Sequence, residues 1–400
     1  VTGIRMPGMP SADGDRPYGQ WRELYYEVVT TGLCTGCAAC VMACPRDVLG
    51  YDHQTSYAPF STENTTPTDD CLHGQRGCDI CTKACPRFRV WEVECDEALF
   101  GRARRPDEIF GIAKDVLLVR ATDPGIAAAG QDGGLVSALL IHGLETGLID
   151  GALVSKLSDE RVFDAVPAVA TTREEILATA GSRYTYSANP LAMKEAEQRG
   201  LRNLALVGMS CMASINGTLT ARNVAKYRKR IALVIGLLCS KSFDYDGLMV
   251  GKIEREMGIP LTDVSKVNVK GRFQIWRRST GEEIDIPLKE CQPFTRNGCK
   301  LCPDFAAEHA DISTGGLGQS DGWTLTVVRT ERGAEWMQGL QDKGWIETRP
   351  GSEDEAAVEL MRKLSARSRK RWPADLGPER AAPGILPAPE AEPPREAVSS

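Results

Sequence analysis

Cysteines are the residues whose type and spacing most directly indicate chemistry in this sequence, with 14 among 400 residues. Clustered thiols in a chain without an export sequence are more often metal ligands than disulfides. Two short motifs, CTGCAACVMACP and CLHGQRGCDICTKACP, each end in Cys-Pro. They contain Cys34, Cys37, Cys40 and Cys44 in the first and Cys71, Cys78, Cys81 and Cys85 in the second.

The first motif has the spacing C-x2-C-x2-C-x3-C-P, which is typical of bacterial ferredoxin-type [4Fe–4S] sites. In paired motifs the fourth cysteine of one motif binds the cluster of the other. We therefore predict two clusters with crossed ligation. Their ligand sets are Cys34, Cys37, Cys40 and Cys85 for one, and Cys71, Cys78, Cys81 and Cys44 for the other.

Two alternatives stay open for these motifs. Cys71 precedes Cys78 by seven residues, which is wider than the ferredoxin spacing, so Cys95 is a reserve ligand. Zinc also binds four cysteines, but its sites use two C-x2-C pairs without a third close cysteine followed by Cys-Pro. The spacing therefore favours iron–sulfur clusters over zinc.

A third group of cysteines lies far downstream. Cys299 and Cys302 form a C-x2-C pair, while Cys211 and Cys239 each follow an apolar run that predicts a buried strand. Loops at strand ends converge in α/β sheets, so these four thiols could bind a third metal centre. The alternative is that Cys211 and Cys239 are small buried hydrophobic residues.

The elements that would position these thiols alternate between strands and helices after residue 112. Strands are predicted at residues 115–122, 203–209 and 231–239, and a helix at 135–147. This alternation predicts an α/β domain after the cysteine-rich module, or an α+β arrangement overall. Residues 101–111 suggest a linker. Residues 265–278, together with the strand that follows, suggest a hairpin. Residues 353–371 suggest an amphipathic helix. The Pro/Ala/Glu-rich segment from 373 to 400 is predicted to be disordered.

A glycine-rich segment, GQDGGLVSALL at residues 130–140, directly precedes the predicted helix. Glycines allow close backbone approach to a ligand, and a helix N-terminus offers unpaired N–H groups to a phosphate. A second glycine-rich loop spans residues 311–323, and its alternative is a plain strand-to-strand connection.

The composition excludes several classes of protein. The formal charge is −6, which argues against a general nucleic-acid binder. The longest apolar stretch, at residues 231–239, is far shorter than the roughly 18 residues of a spanning helix. With no export sequence at the N-terminus, a cytoplasmic location is expected.

Five motifs in order, GQDGGLVSALLIHGLETGLIDGALV, VGMSCMAS, IGLLC, VKGRF and CKLCPDFAAEHADISTGGLG, resemble the coenzyme F420 hydrogenase/dehydrogenase beta-subunit family. The resemblance spans about residues 110–335. It implies an iron–sulfur flavoprotein that binds FAD and exchanges hydride with coenzyme F420, with the chemistry carried by FAD. The expected domains are an extension at 1–30, a ferredoxin-like module at 31–100, the flavin domain at 110–350, and a helix with a tail at 351–400.

The resemblance also implies roles for individual residues. Cys211, Cys239, Cys299 and Cys302 would hold a [4Fe–4S] cluster near the flavin, with Cys291 as a substitute ligand. The residues implied to contact FAD or its anionic groups are Gly130, Gln131, Asp132, Gly133, Gly134, Ser137, Arg183, Lys270, Arg272, Gly315, Gly316 and Gly318.

Three functions remain open from the sequence. The first is an F420-linked oxidoreductase that passes electrons to ferredoxin or to a partner dehydrogenase or hydrogenase subunit, with an oligomer possible. The second is a ferredoxin-dependent reductase of a tetrapyrrole, of the hydroxymethyl- or vinyl-chlorophyllide reductase type. The third is a non-catalytic electron-transfer subunit.

Overall fold

The structure is a computed structural model that describes residues 18–63, 71–317 and 322–373. Gly318 and nearly all of the predicted disordered tail lie outside these residues, as does most of the N-terminal extension. Among the described helices, none combines the length and the apolar character that crossing a lipid bilayer would require.

The cysteine-rich module is built from short helices and one two-stranded antiparallel sheet, in which Leu49 lies opposite Ser61. Its elements are α1 (Trp21–Leu24), a π-helical turn (Tyr25–Val29), α2 (Ala39–Ala43), β1 (Leu49–Tyr51), β2 (Pro59–Ser61), α3 (Leu72–Gln75), α4 (Ile80–Ala84) and α5 (Glu92–Phe100). The helices α2 and α4 are equivalent in the two motifs, since each is five residues long and ends at the Cys-Pro cysteine.

The second unit is a mixed α/β fold, as predicted. Its first part contains β3 (Asp115–Ala121), α6 (Pro124–Ala129), α7 (Leu135–Glu145), β4 (Gly151–Leu157), β5 (Ala165–Ala170), α8 (Arg173–Ala178), a 3-10 turn (Asn189–Ala192), α9 (Met193–Gln198), β6 (Leu204–Met209), α10 (Ser210–Ala221), α11 (Ala225–Arg228) and β7 (Ile231–Leu237). The middle part contains a π-helix (Tyr245–Glu256), a 3-10 turn (Leu261–Asp263), β8 (Val264–Val269), β9 (Arg272–Arg277), β10 (Glu283–Pro287), α12 (Leu288–Cys291), a 3-10 turn (Gln292–Phe294) and α13 (Asn297–Lys300). The last part contains β11 (Ile312–Gly315), β12 (Thr324–Val328), α14 (Glu331–Asp342), β13 (Ile346–Pro350), a 3-10 turn (Gly351–Asp354) and α15 (Glu355–Arg369).

Eight strands form the main sheet in the order β13-β3-β12-β11-β7-β6-β4-β5. The four strands β11, β7, β6 and β4 are parallel to their neighbours within this group, so their carboxyl ends share one edge of the sheet. The strand β7 lies inside the sheet, between β11 and β6. Because an inner strand of this kind is covered on both faces, its apolar run is almost entirely buried. This edge carries the loops after β6 and β7, which lead to Cys211 and Cys239.

The segment predicted as a hairpin is a three-stranded antiparallel sheet, in the order β10-β9-β8. Its apolar face includes Val267, Phe273, Ile275 and Ile286 and packs with the π-helix Tyr245–Glu256 in a separate core. The additional strand buries a face that two strands alone would leave largely exposed.

The cysteine-rich module and the α/β unit share one hydrophobic core. Trp21, Met42 and Phe88 of the module lie in the same buried cluster as Leu206 and Ile215 of the α/β unit. This shared core fixes the module against the edge of the sheet where the downstream cysteines lie.

Candidate functional site

Four thiols of the two motifs form one group, here called the middle set (Cys34, Cys37, Cys40 and Cys85). Burial and, next, the nearby thiol of Cys85 raise the pKa of Cys37 to about 12. Burial also raises the pKa of Cys40 well above its ordinary value, with added repulsion from Cys85, Cys34 and Cys37. Such coupling acts only between neighbouring groups, so the grouping agrees with the crossed ligation expected from the spacing.

The remaining four motif thiols form the distal set (Cys44, Cys71, Cys78 and Cys81). All four line one cavity, together with Trp21, Pro45, Arg46, Val48, Leu49 and His73. Burial is the main cause that raises the pKa of Cys81 well above its ordinary value, and repulsion from Cys78, Cys71 and Cys44 is the next. The wide spacing before Cys78 is absorbed by α3, whose N-cap is Cys71 and whose Gly74 N–H donates to the Cys71 Sγ at 3.4 Å.

The downstream thiols form the proximal set (Cys211, Cys239, Cys299 and Cys302). The pKa of Cys239 is raised well above its ordinary value by burial and then by Cys299, Cys211 and Cys302. Cys211 lies in the first turn of α10, after β6, and Cys239 follows β7. The parallel strands β6 and β7 therefore bring these two loops together, where they meet Cys299 of α13 and Cys302 just after it.

The three sets lie in a fixed order. Cys81 of the distal set contributes to the raised pKa of Cys40 in the middle set, and Cys37 of the middle set contributes to that of Cys211 in the proximal set. The backbone of α13 also packs on the middle set, since a Cβ at Gly298 would lie 2.1 Å from the carbonyl oxygen of Cys34. The middle set thus lies between the other two.

Two cysteines remain outside these groups. Cys95 is fully buried, and its thiol donates to the carbonyl of Ser214 at 3.9 Å in the packing of α5 against α10. Cys291 is also fully buried and belongs to the core under the three-stranded sheet. Burial raises the pKa of Cys291 to about 11, with Glu290 as the next cause.

The donor chemistry of the three sets fits iron–sulfur clusters. Each set supplies only sulfur, and backbone N–H groups of Gly36, Ala39 and Thr82 lower the pKa of individual thiols in the middle and distal sets. Ala38 in the first motif has a left-handed φ of 60°, a conformation that is concentrated at functional sites. Within the described residues, no three Cys, His, Asp or Glu side chains lie close enough to share a single metal ion.

The two glycine-rich loops predicted to contact a cofactor lie together. A Cβ at Gly316 would fall 1.9 Å from Oδ2 of Asp132, and a Cβ at Gly315 would contact Leu238, just before Cys239. No side chain caps the N-terminus of α7, and Ser137 is buried in its first turn. An uncapped helix N-terminus beside close-packed glycines fits an anionic, phosphate-bearing cofactor.

The glycines of the first loop are also required by the protein's own packing. A Cβ at Gly133 would lie 2.6 Å from Oγ1 of Thr324, and one at Gly134 would lie 2.7 Å from the carbonyl of Ile126. Both residues have positive φ. A Cβ at Gly130 would lie 2.8 Å from the Cα of Gly134, so the loop is a tight turn in its own right.

The three predicted cationic residues have different surroundings. Lys270 forms an ion pair with Asp132 at 3.6 Å. The guanidinium of Arg183 donates to the carbonyls of Thr179, Ala180 and Gly181, while its neighbour Ser182 donates from its N–H to Oε1 of Gln131 at 3.4 Å. Arg272 pairs with Asp285 at 3.2 Å on the exposed face of β9.

A tyrosine links the glycine loop to the proximal set. Burial raises the pKa of Tyr184 to about 12, and both Asp132 and Cys239 contribute to the increase. The hydroxyl of Tyr184 donates to Oδ1 of Asn268 at 3.1 Å and accepts the N–H of Val269 at 3.1 Å. The candidate cofactor loop therefore lies next to the proximal thiols.

Sequence reasoning missed three buried residues around the thiols. Nη2 of Arg87 donates to the Sγ of Cys302 at 3.3 Å. The guanidinium of Arg296 lies over the ring of Tyr186 at 3.5 Å, and the Tyr186 hydroxyl lies 3.5 Å from the Sγ of Cys211. Single arginines and tyrosines have no distinguishing spacing, so nothing in the sequence marks them.

Comparison with known proteins gives matches over most of the described chain. The family of the C-terminal part of the coenzyme F420 hydrogenase/dehydrogenase beta chain matches residues 201–354, and the family of its N-terminal part matches residues 116–194. A "4Fe-4S binding domain" matches residues 27–49.

Individual relatives agree with these families. The beta chain of the coenzyme F420 hydrogenase of Methanococcus voltae is 34% identical, over 66% of this chain and 93% of that protein. A subunit of the F(420)H(2) dehydrogenase of Methanosarcina mazei is 28% identical, over 86% of this chain and 91% of that protein.

A solved structure has a similar fold. A chain of the F420-reducing [NiFe] hydrogenase complex from Methanosarcina barkeri superposes with a TM-score of 0.62 at 31% identity, covering 66% of this chain and 91% of that one. On the family matches, the extent of the relatives and this superposition together, the chain belongs to the coenzyme F420 hydrogenase/dehydrogenase beta-subunit family and carries a 4Fe–4S binding domain.

Proposed function

We propose that this protein is an FAD-dependent oxidoreductase that transfers electrons between coenzyme F420 and a partner redox protein through three [4Fe–4S] clusters. The observation that carries this proposal is the order of the thiol sets, which runs from the glycine loop to the proximal, middle and distal sets. An FAD bound at the loop would supply the exchange between a two-electron hydride and single electrons.

The chain's own residues would bind and orient this cofactor at the edge of the sheet. The N–H groups in the first turn of α7 and the ammonium of Lys270 would hold its anionic groups. Gly315 and Gly316 bring the second loop close to Leu238 and Asp132, beside the proposed cofactor position. Gln131 of the first loop and Ser137 in the first turn of α7 would line the same position. Tyr184 lies near both the first loop and Cys239, since Asp132 and Cys239 each raise the pKa of its hydroxyl.

The distal set is the proposed point of contact with the partner. Cys44 and Cys78 of the distal set are partly exposed, whereas only Cys34 is partly exposed in the middle set. Three thiols of the proximal set are also partly exposed, but that set lies beside the glycine loop, at the opposite end of the order from the distal set. Two large apolar side chains of the same module are also exposed, Leu72 at 48% and Phe60 at 46%. Exposed apolar side chains beside a redox site are suited to a transient protein contact.

The relatives support a partner-linked function. The protein from Methanosarcina mazei covers 86% of this chain, so its similarity extends into the cysteine-rich module, and its name is that of an F(420)H(2) dehydrogenase subunit. A relative in Methanocaldococcus jannaschii, 30% identical over 79% of this chain and 47% of that protein, is named a coenzyme F420-dependent sulfite reductase. These names support a partner subunit or domain that carries a separate catalytic centre, with ferredoxin as the other proposed partner.

The direct test is anaerobic absorption spectroscopy of the purified protein before and after addition of reduced F420. We expect rapid bleaching of the flavin bands, followed by loss of the broad iron–sulfur absorbance. In Cys239→Ala, which lies between the loop and the other sets, flavin bleaching should persist while reduction of the middle and distal sets slows.

Each alternative function gives a different result. If adding reduced F420 does not change the flavin spectrum, but a tetrapyrrole oxidises the flavoprotein, the proposal is contradicted in favour of the chlorophyllide-reductase type. A protein with iron but no flavin would contradict it in favour of a non-catalytic electron-transfer subunit.

A further inference from the structure

Arg87 lies at the junction between two thiol sets, although it belongs to the loop after the second cysteine motif. Its side chain is buried, with only 2% of the residue exposed. Its Nη2 donates to the Sγ of Cys302 at 3.3 Å, across 215 positions of sequence, and its Nη1 donates to the carbonyl of Pro86 at 2.8 Å. The arginine therefore holds the cysteine-rich module against the C-x2-C pair of the α/β unit.

The same guanidinium acts on both of these thiol sets. Arg87 follows Cys85 of the middle set by two residues and donates to the carbonyl of Pro86 between them. In the proximal set it bonds the Sγ of Cys302 directly. Arg87 is not among the residues that line the cavity of the distal thiols.

Arg87 is charged and fixed in place. An arginine guanidinium is not deprotonated in proteins. The guanidinium also lies over the ring of the fully buried Trp91, at 4.3 Å from the centroid. A planar cation stacked on an indole and bonded at both amino groups has little freedom to move away.

We propose that Arg87 is a positioning residue that makes the proximal and middle sets easier to reduce, while leaving the distal set unaffected. This proposal rests on the proposed function in one respect, namely that the thiol sets hold iron–sulfur clusters. Its physical basis is that gaining one electron makes a site one charge more negative. A buried cation offsets that charge far more strongly than an exposed one, since solvent and salt screen it little.

The experiment is a redox titration of the anaerobically purified full-length protein with dithionite as electron donor, followed by electron paramagnetic resonance. In Arg87→Gln the equilibrium constant for one-electron reduction should fall about tenfold at the proximal and middle sets, which corresponds to about 59 mV. The distal set should titrate as in the unaltered protein. In Arg87→Lys, which keeps the charge but loses the planar fork, the fall should be smaller.

Arg329 provides a matched control. It is also buried, with 1% of the residue exposed, and it donates to Oγ of Ser313 and to the carbonyls of Ile112 and Ala306 without contacting a thiol. Arg329→Gln should therefore perturb the fold to a comparable degree and leave all three potentials unchanged. Equal shifts in Arg87→Gln and Arg329→Gln, or a shift of the distal set in Arg87→Gln, would overturn the proposal.

Two further outcomes are decisive. If Arg87→Gln does not fold, Arg87→Met, which also removes the charge, is titrated in its place: a lowered proximal potential supports the proposal, and an unchanged one overturns it. Because dithionite replaces F420, the shift can be observed even if the protein does not react with F420. Conversely, bleaching by reduced F420 with unchanged potentials in both Arg87 variants would overturn only the role of Arg87.

Discussion

The ammonium of Lys270 lies 3.6 Å from the carboxylate of Asp132, and this ion pair joins the turn between β8 and β9 to the glycine loop before α7. These two segments are far apart in sequence, and the glycine loop lies outside the small sheet that contains β8 and β9. Their contact places one cationic side chain beside the uncapped helix N-terminus, where we propose that the anionic part of FAD binds.

Lys270→Ala should weaken FAD binding about tenfold, because one charge-assisted contact to an anionic group is removed. The free energy of unfolding should change by no more than about 1 kcal/mol, since the Lys270 side chain is 44% exposed and solvent screens its ion pair with Asp132. Flavin content after dialysis and chemical denaturation measure the two effects.

Arg272→Ala is the matched control for Lys270, because Arg272 pairs with Asp285 on the exposed face of the same small sheet. It should leave FAD binding unchanged. Equal losses of flavin in both variants would show that the general charge of this sheet matters, rather than the contact at Asp132.

Cys299→Ala should remove about one third of the iron, namely the cluster of the proximal set, and spare the two ferredoxin-type signals. Cys291→Ala is the control, since its thiol is buried in the core of the small sheet and not among the proximal thiols. Iron analysis and electron paramagnetic resonance distinguish the two. Unchanged iron in Cys299→Ala, or iron loss in Cys291→Ala, would refute the assignment of the proximal ligands.

Cys71→Ala should remove the distal cluster, because Cys71 lines the cavity shared by Cys44, Cys78 and Cys81. Cys95→Ala should keep all the iron and lower the free energy of unfolding by about 1–2 kcal/mol, the range for removing a small buried group. Iron content and thermal unfolding of the two variants settle which cysteine completes the second motif. Loss of iron in Cys95→Ala alone would reverse the choice.

Gly133→Val should destabilise the protein as well as lower its FAD content. The new Cβ would meet Thr324 and the carbonyl of Val119 at 2.6 and 2.7 Å, and the φ of 56° is unfavourable for a β-branched residue. A loss of about 3 kcal/mol or more is expected.

Gly147→Val separates the two contributions, since Gly147 has a φ of 72° but no atom within 4 Å of its Cβ position. It should cost about 1–2 kcal/mol from backbone strain alone and leave FAD content intact. A fully stable Gly133→Val protein without FAD would contradict the packing role of Gly133. It would indicate that the space beside Gly133 is open and is filled by the cofactor.

The sequence was sufficient to predict the elements that have a strong local pattern. The strand expected at residues 115–122 is β3 (Asp115–Ala121), and the helix expected at 135–147 is α7 (Leu135–Glu145). Both contain apolar runs with one clear periodicity and are bounded by glycine or by polar residues. The amphipathic helix expected at 353–371 is α15, with Met361 fully buried.

Features that depend on distant partners could not be predicted from the sequence. Residues 101–111, expected to be a linker, connect α5 to β3 without a helix or strand. The sequence did not show that Arg104 within this segment is buried, with its side chain 1% exposed and bonded to Asp96 at 2.7 Å and to Glu308. The contact of Arg87 with Cys302 was likewise invisible, because no local pattern connects residues 215 positions apart. Buried ion pairs are set by tertiary structure, and a lone arginine in a sequence is most often exposed.

The most direct test of this account is the iron and acid-labile sulfide content of the protein purified or reconstituted without oxygen. Three [4Fe–4S] clusters predict about twelve iron and about twelve sulfide per chain. A preparation that contains neither iron nor sulfide, or that binds zinc at the same thiols, would contradict the central claim that these cysteines form a path for electrons.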